Sequence, residues 1–462
     1  MRTAGVHALV LTLAIAASSI APLAHTSPQS AQSSAPKKST ALELISLANA
    51  HDPSLASAIS ATFDAKDLKA GTAQAGHGPD FFFAIDAASQ PTLRIDDKPG
   101  PAMQNIAGSS IWYVVARVEP VSKLHSFDYL INGEKFGGSV NLPALGPLSY
   151  LQSGVPSGKL SDKITHISKI YDGMKSDYWI YVPAQYDPNT PAALMVFQDG
   201  EWYTDREGEN PALNVIDNLI AQKKIPVMIV VFIKPGSVVD APGTPTYTFV
   251  KGYSEKWQRT LDDSMRSTLY DTVSDRYPRF LRDEILADVA AKYTIRKDGY
   301  SHAITGLSSG AICSFNAAWQ MPDLFTRVIS WIGSYSSIQW KEDPSNSDGG
   351  QDYPDKMLRE PHRNIRVWLE DGTNDLENPH YGSWALNNIR MANALKMHDY
   401  DFHFSFGTGS HSAAHGATEF PEEMIWLWRG YDPAKTSDTF TIDPAEKALP
   451  QFRVSINNRT AE

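Results

Sequence analysis

The sequence predicts an α/β protein built on a mostly parallel sheet with helices on both faces, preceded by a small β-sandwich. Three observations predict it. From residue 192 onward, short apolar runs alternate with longer amphipathic stretches, the pattern of strand and helix in repetition. Between residues 76 and 151 the apolar runs are short, aromatic or β-branched, and bounded by Gly, Pro, Asn or Asp. The chain has 462 residues, of which 42% are apolar and 20% charged, enough for two or three packed domains and too apolar for a disordered chain.

Taken in order, the first residues read as an export signal, assigned to 1–24. Arg2 supplies the positive start and Ala8 to Ala17 the apolar centre, while Ser18, Ser19 and Pro22 interrupt it before it could span a bilayer. The alternative is an uncleaved anchor, and no clean A-x-A site marks a cleavage point. Residues 25–40, rich in Ser, Pro, Gln and Ala, read as a disordered linker. Residues 41–158 follow as an N-terminal domain. Ala41 to Phe63 has helical spacing broken at Asp52-Pro53. The runs Phe81–Ile85, Ile111–Val115 and Phe127–Ile131 read as strands, and Asn132-Gly133 as a tight hairpin turn.

Residues 159–432 form the α/β domain. Lys159 to Pro183 is strand-like. Leu194–Phe197, Pro226–Ile233, Ala303–Gly306, Arg327–Ile332, Ile365–Leu369 and Phe402–Phe406 read as strands. Arg276–Tyr293, Ser309–Gln320, Trp384–Met397 and a last helix opening at Pro421 read as helices. Gly236 to Arg266, with Pro242, Gly243 and Pro245, is either a lid or a passive surface loop. Residues 433–462 are a tail. The net charge of −11, without a dense basic run, argues against a nucleic-acid partner, and no integral membrane span is expected. The single cysteine, Cys313, excludes an internal disulfide and reads as a small buried hydrophobe.

The chemistry centres on Gly306-Leu307-Ser308-Ser309-Gly310, between a strand and a helix. There a G-x-S-x-G sequence makes a tight turn that lifts a serine oxygen above the sheet, with small neighbours to avoid clashes and a helix amino end behind it. Only Ser308 has glycine at both −2 and +2, which makes it the candidate nucleophile and the N–H of Ser309 an oxyanion donor. The other reading is a small-residue turn without chemistry. A serine hydroxyl needs a base and an orienting acid, in the order Ser, acid, His. The acid is expected at Asp375, after the Ile365–Leu369 strand, with Asp371 and Glu377 as rivals. The base is expected at His411, after the glycine-rich turn that follows Phe406, with His415 as rival. His411, His415 and Glu419 also stand four apart, the spacing of a helical metal site, but Gly407, Gly409 and Gly416 oppose a helix there. The loop Phe197 to Tyr203 offers Gly200 as a second oxyanion donor, and Asp199, Glu201, Trp202 and Tyr203 as substrate contacts; ordinary loop packing is the plainer reading of the aromatics.

The runs FQDGEWY at 197–203, RFLRDEILADV at 279–289, ITGLSSGAICSFNAAWQMPDLF at 304–325, WIGSYS at 331–336, LEDGTND at 369–375, GSHSAAHG at 409–416 and PEEMIWLWRGY at 421–431 together resemble the enterochelin (enterobactin) esterase family of the esterase D group. The resemblance covers residues 160–432. It implies an α/β-hydrolase fold, Ser308 as nucleophile, Asp375 as orienting acid, His411 as base, and backbone donors near Gly200 and at Ser309. It further implies an immunoglobulin-like sandwich before the hydrolase domain, and a two-step acyl transfer that needs no metal or organic cofactor. The expected partner is a small or polymer-linked ester. Siderophore esterases that process imported ligand are expected inside the cell, whereas this chain starts like an exported protein, so cell-wall, plant-polymer or lipid-like esters fit as well. Acyl transfer to a sugar or lipid alcohol, and non-catalytic binding of a glycan or siderophore, are the alternatives.

Overall fold

The structure, a computed structural model, describes residues 38–171, 174–237, 266–336, 338, 349–379 and 381–454. The expected export signal, most of the linker, most of the segment Gly236 to Arg266 and the last eight residues of the tail lie outside the described residues. Among the described residues no helix is long and apolar enough to cross a membrane.

Thr40 opens the first helix, Ala41–Asn49, with a capping box to Glu43, and the break at Asp52-Pro53 separates it from Leu55–Thr62. Two four-stranded antiparallel sheets follow. One contains Gln74–His77, Asp80–Asp86, Gln104–Asn105 and Ile111–Arg117; the other Thr92–Ile95, Lys98–Pro99, Lys123–Ile131 and Glu134–Ala144. Strand periodicity divides the run Phe81–Ile85 between two cores. Phe81, Phe83 and Ile85 meet Leu93, Phe127 and Tyr129 of the second sheet, while Phe82 and Ala84 pack on Leu44, Leu55 and Ile59 of the helices. Asn132 and Gly133 take φ of +54° and +86°, the left-handed pair that closes a two-residue hairpin.

The main sheet runs, edge to edge, Ile164–Ile167, Lys175–Val182, Met228–Ile233, Ala193–Gln198, His302–Leu307, Arg327–Trp331, Arg366–Asn374 and Asp401–Ser410, with Lys159–Leu160 paired to Lys175–Val182. The last six are mutually parallel, and Lys175–Val182 runs antiparallel to both its neighbours, Ile164–Ile167 and Met228–Ile233. Alternate residues again face opposite layers. Leu194 and Val196 pack with helices Ser309–Gln320, Tyr353–Arg359 and Trp384–Met397, and Met195 and Phe197 with Ala212–Ala221 and Ala414–Leu427. This is an α/β-hydrolase-like arrangement: a mixed sheet covered by helices on both faces.

Two expectations need correction. The strands expected to stop at Leu369 and Phe406 run on together to Asn374 and Ser410, so the glycine-rich stretch 407–409 is strand, not turn. Gly372 permits this, because a Cβ there would lie 2.3 Å from the carbonyl oxygen of Gly409. The last helix starts at Ala414, seven residues before Pro421, and contains Gly416. Gly416 is there for space: its Cβ would fall 2.2 Å from the buried ring of Trp331.

Phe83, fully buried and with its ring 5.0 Å from that of Phe127, holds the two antiparallel sheets together. Phe83→Ala is expected to lower the unfolding free energy of this unit by about 3–5 kcal/mol, read from chemical denaturation.

Candidate active site

Ser308 lies between strand His302–Leu307 and helix Ser309–Gln320, at φ +56° and ψ −120°. The turn is tight because strand end and helix nearly touch: a Cβ on Gly306 would lie 2.5 Å from the backbone of Gly310. The strained conformation is pinned on both sides. The Ser308 N–H donates to the carbonyl of Trp331 at 2.9 Å, and the Ser308 carbonyl accepts from the N–H of Ser334 at 3.1 Å.

His411 Nε2 lies 2.8 Å from Ser308 Oγ, and His411 Nδ1 lies 2.5 Å from Asp375 Oδ1. The three expected residues, separated by up to 103 positions, thus form one hydrogen-bonded chain at the carboxyl edge of the sheet. Asp375 is almost fully buried and also accepts from the N–H of Leu376. The Trp384 ring stands edge-on to the His411 ring, 5.9 Å between centroids. Its indole N–H donates to Ser334 Oγ, which is 3.2 Å from Ser308 Oγ.

The rivals sit elsewhere. Glu377 is on the surface. His415 is turned away from Ser308: its Nδ1 is 2.6 Å from Glu370 and its Nε2 3.3 Å from Glu419. Burial alone would pull the His415 pKa down, but these two carboxylates raise it to about 11, so it is a structural cation. The two imidazoles serve different partners, and His411, His415 and Glu419 do not converge.

Asp371 is fully buried beside Asp375. Its Oδ1 accepts from the Gly372 N–H, while Oδ2 of both carboxyls has no N–H or hydroxyl donor. Two carboxyl groups meet there only if one is protonated. Burial, and then the hydrogen bond to Asp375, push the Asp371 carboxyl up to about 10, so Asp371 is the neutral acid and donates to Asp375.

The loop 198–203 is only partly as expected. Gly200 and Ser309 are each the first residue of a helical turn, where a backbone N–H lacks an intrahelical acceptor. The loop adjoins the elbow, since a Cβ on Gly310 would be 3.1 Å from Asp199 Oδ2. Asp199, however, is buried and bonded twice to Arg266, at 2.9 and 2.8 Å, and Tyr203 is fully buried against Phe197 and Trp331. Neither side chain is free to touch a substrate. Glu201 pairs with Lys234 at 3.0 Å, which leaves Trp202, half exposed, as the side chain of this loop that faces solvent.

Sequence reasoning missed Ser334, Trp384 and Arg266. Ser334 and Trp384 could have been sought as the polar residue just past the Arg327–Trp331 strand and the aromatic that opens the helix Trp384–Met397. Arg266 lies in a segment without a periodic pattern.

The Asp371 proton has a measurable consequence. A carboxyl whose folded pKa stands near 10 against an ordinary 3.8 binds a proton in the folded state that the unfolded chain has lost, so stability falls as pH rises through that window. Asp371→Asn, which keeps a donor towards Asp375, is expected to flatten this fall when unfolding free energy is measured from about pH 4 to pH 10.

A family model described as "Putative esterase" matches residues 173–427, just over half of the chain. Among solved structures, the chain is similar to the enterobactin esterase of Shigella flexneri, at 15% identity over 78% of this chain and 97% of that one, with a TM-score of 0.49. It is also similar to a ferulic acid esterase, at 17% identity over 59% of this chain and 99% of that one (TM-score 0.43), and to a ferulic acid esterase of the anaerobic fungus Anaeromyces mucronatus, at 18% identity over 61% and 94% (TM-score 0.44). By the extent of the family match, this chain belongs to the Esterase family.

Proposed function

We propose that the protein is an exported serine esterase that cleaves carboxylic esters through a Ser308 acyl-enzyme. The observation that carries this reading is the unbroken chain Ser308 Oγ, His411 Nε2, His411 Nδ1, Asp375 Oδ1 on a strained strand-to-helix turn. Asp375 accepts a hydrogen bond from the Nδ1–H of His411, which keeps the proton on Nδ1 and leaves the Nε2 lone pair towards the serine hydroxyl. As Ser308 Oγ bonds to the ester carbonyl carbon, its proton passes to His411 Nε2. The N–H groups of Ser309 and Gly200 receive the oxyanion, aided by the helix amino end. When the carbon–alkoxy bond breaks, His411 returns the proton to the leaving alcohol. Water, deprotonated by His411, then attacks the acyl carbon, and Ser308 departs with the proton restored.

In this reading residues 159–432 are the hydrolase domain, residues 41–158 carry an immunoglobulin-like sandwich, and residues 1–24 direct export. Support for export is the basic start and apolar run of 2–17 followed by Ser and Pro. Trp202, half exposed in the loop that carries Gly200, is the proposed substrate contact.

The test is hydrolysis of p-nitrophenyl acetate together with labelling by a fluorophosphonate. Ser308→Ala is expected to abolish labelling and to lower kcat by about 10³-fold or more; a variant that turns over like the wild type removes the serine from the reaction. His411→Ala is expected to cost far more activity than His415→Ala, whose loss is expected to show mainly as reduced stability. The opposite ranking moves the base to His415.

A further inference from the structure

Resting on the Ser308–His411–Asp375 reading, we propose that the N-terminal two-sheet unit is part of the machinery that positions the base: Asn141 grips Ser410 and through it holds the turn that carries His411. Asn141 is a positioning residue, since its side-chain hydrogen bonds go to Ser410 and not to Ser308 or His411.

The contact is specific in form. The Asn141 side-chain amide donates to Ser410 Oγ at 2.6 Å, and the Ser410 backbone N–H donates to Asn141 Oδ1 at 3.0 Å. A main-chain N–H only donates, so the oxygen of the amide must face it, and the amide nitrogen is then left for the hydroxyl. Both groups of one amide are used on one residue, 269 positions away in the chain.

Ser410 is the residue through which such a grip matters. It ends the strand Asp401–Ser410 and pairs there with Asn374, the neighbour of Asp375. Its carbonyl accepts from the N–H of Ser412 at 2.7 Å, which closes a tight turn with His411 at its centre. Acid and base therefore leave the sheet from one adjacent pair of residues, and Asn141 fastens that pair from outside the sheet. On the other side of Asn141, the strand Glu134–Ala144 changes register between the partners of His125 and Phe127, a bulge that includes Asn141. A bulge bends a strand and re-aims a side chain, and it often does so next to active sites. The backbone N–H of Asn141 is taken by Ser139 Oγ at 2.9 Å, which holds the bulge. Two neighbours reinforce the contact. A Cβ on Gly409 would come 3.1 Å from Leu124 Cδ2, and Lys123 Nζ is 3.7 Å from Glu419 Oε1 in the helix that follows His411.

A displaced imidazole lowers the rate of proton transfer without changing how the acyl group binds. In the full-length chain, Asn141→Ala is expected to lower kcat for p-nitrophenyl acetate by about tenfold with KM changed less than about twofold, and to slow fluorophosphonate labelling of Ser308 by a similar factor. In a His411→Ala background the same substitution is expected to change neither rate, because there is no base left to misplace. Ser410→Ala keeps the main-chain bond and is expected to give a smaller, equally His411-dependent loss; it serves also if Asn141→Ala fails to fold. Labelling of Asn141→Ala and Ser410→Ala at the wild-type rate overturns the proposal while leaving Ser308 as nucleophile. An equal loss with and without His411 overturns it too, since it marks a general structural role. A wild-type protein that does not label at Ser308 removes the serine reading and this inference with it.

Discussion

Ser308 sits at φ +56° and ψ −120°, a conformation that costs a residue with a side chain about 1–3 kcal/mol. The rest of the site depends on that strain being held. The strand and helix on either side cross within van der Waals contact at Gly306 and Gly310, so the turn cannot relax by swinging the helix away. The next strand and the turn just past it supply the two fixing bonds, from the Trp331 carbonyl and the Ser334 N–H, and Trp331 is itself fixed by its indole N–H on Glu423. Beneath the elbow, the buried Asp199–Arg266 pair ties the neighbouring loop to the same corner, with Arg266 also on the carbonyl of Leu307. A residue read from sequence as a substrate contact is therefore part of the frame.

The carboxyl groups behind the serine need the same kind of accounting. Glu370, Asp371, Asp375, Glu419 and Glu423 are all buried, and five anions in one apolar region would repel each other strongly. Protons resolve it. Burial pushes the Asp371 carboxyl up to about 10 and the Glu423 carboxyl well above its usual range, and His415 holds a positive charge between Glu370 and Glu419. This explains why two histidines four residues apart have separate duties. His415 balances charge in the interior, and His411, on the turn before the helix, is left for Ser308. The helix sets this division: it begins at Ala414, so His415 faces the core and His411 remains outside it.

The elbow was legible in the sequence because small residues at fixed spacing between a strand and a helix have one economical geometry. Ser308, Asp375 and His411 could be proposed from strand ends alone, since parallel strands deliver their carboxyl ends to one edge of the sheet. Legibility ended where long-range packing overrides local preference. Glycines 407 and 409 read as a turn and, with Gly416, as opposing a helix, yet the first two lie in a strand and the third in a helix. Gly372 and Gly416 serve close approach to Gly409 and Trp331, which no local pattern reveals. The aromatics of the 197–203 loop could not be sorted either: Tyr203 and Trp202 are adjacent, and only the fold sends one inward and one outward.

The main sheet by itself leaves the His411 turn supported on one side only. Strand Arg366–Asn374 lies along one flank of Asp401–Ser410, which is the last strand of the sheet, so among the described residues its other edge has no strand partner. An edge strand ending in Gly-Thr-Gly-Ser has little side-chain packing of its own to fix where it stops, and a base must stay within hydrogen-bond reach of the serine. Strands Lys123–Ile131 and Glu134–Ala144 of the N-terminal unit close against this end and against the helix after it. What they supply at Ser410 is a side chain, Asn141, not a further ladder of backbone bonds. An extra ladder would bind the whole edge, whereas a single amide fixes the one residue from which the base departs.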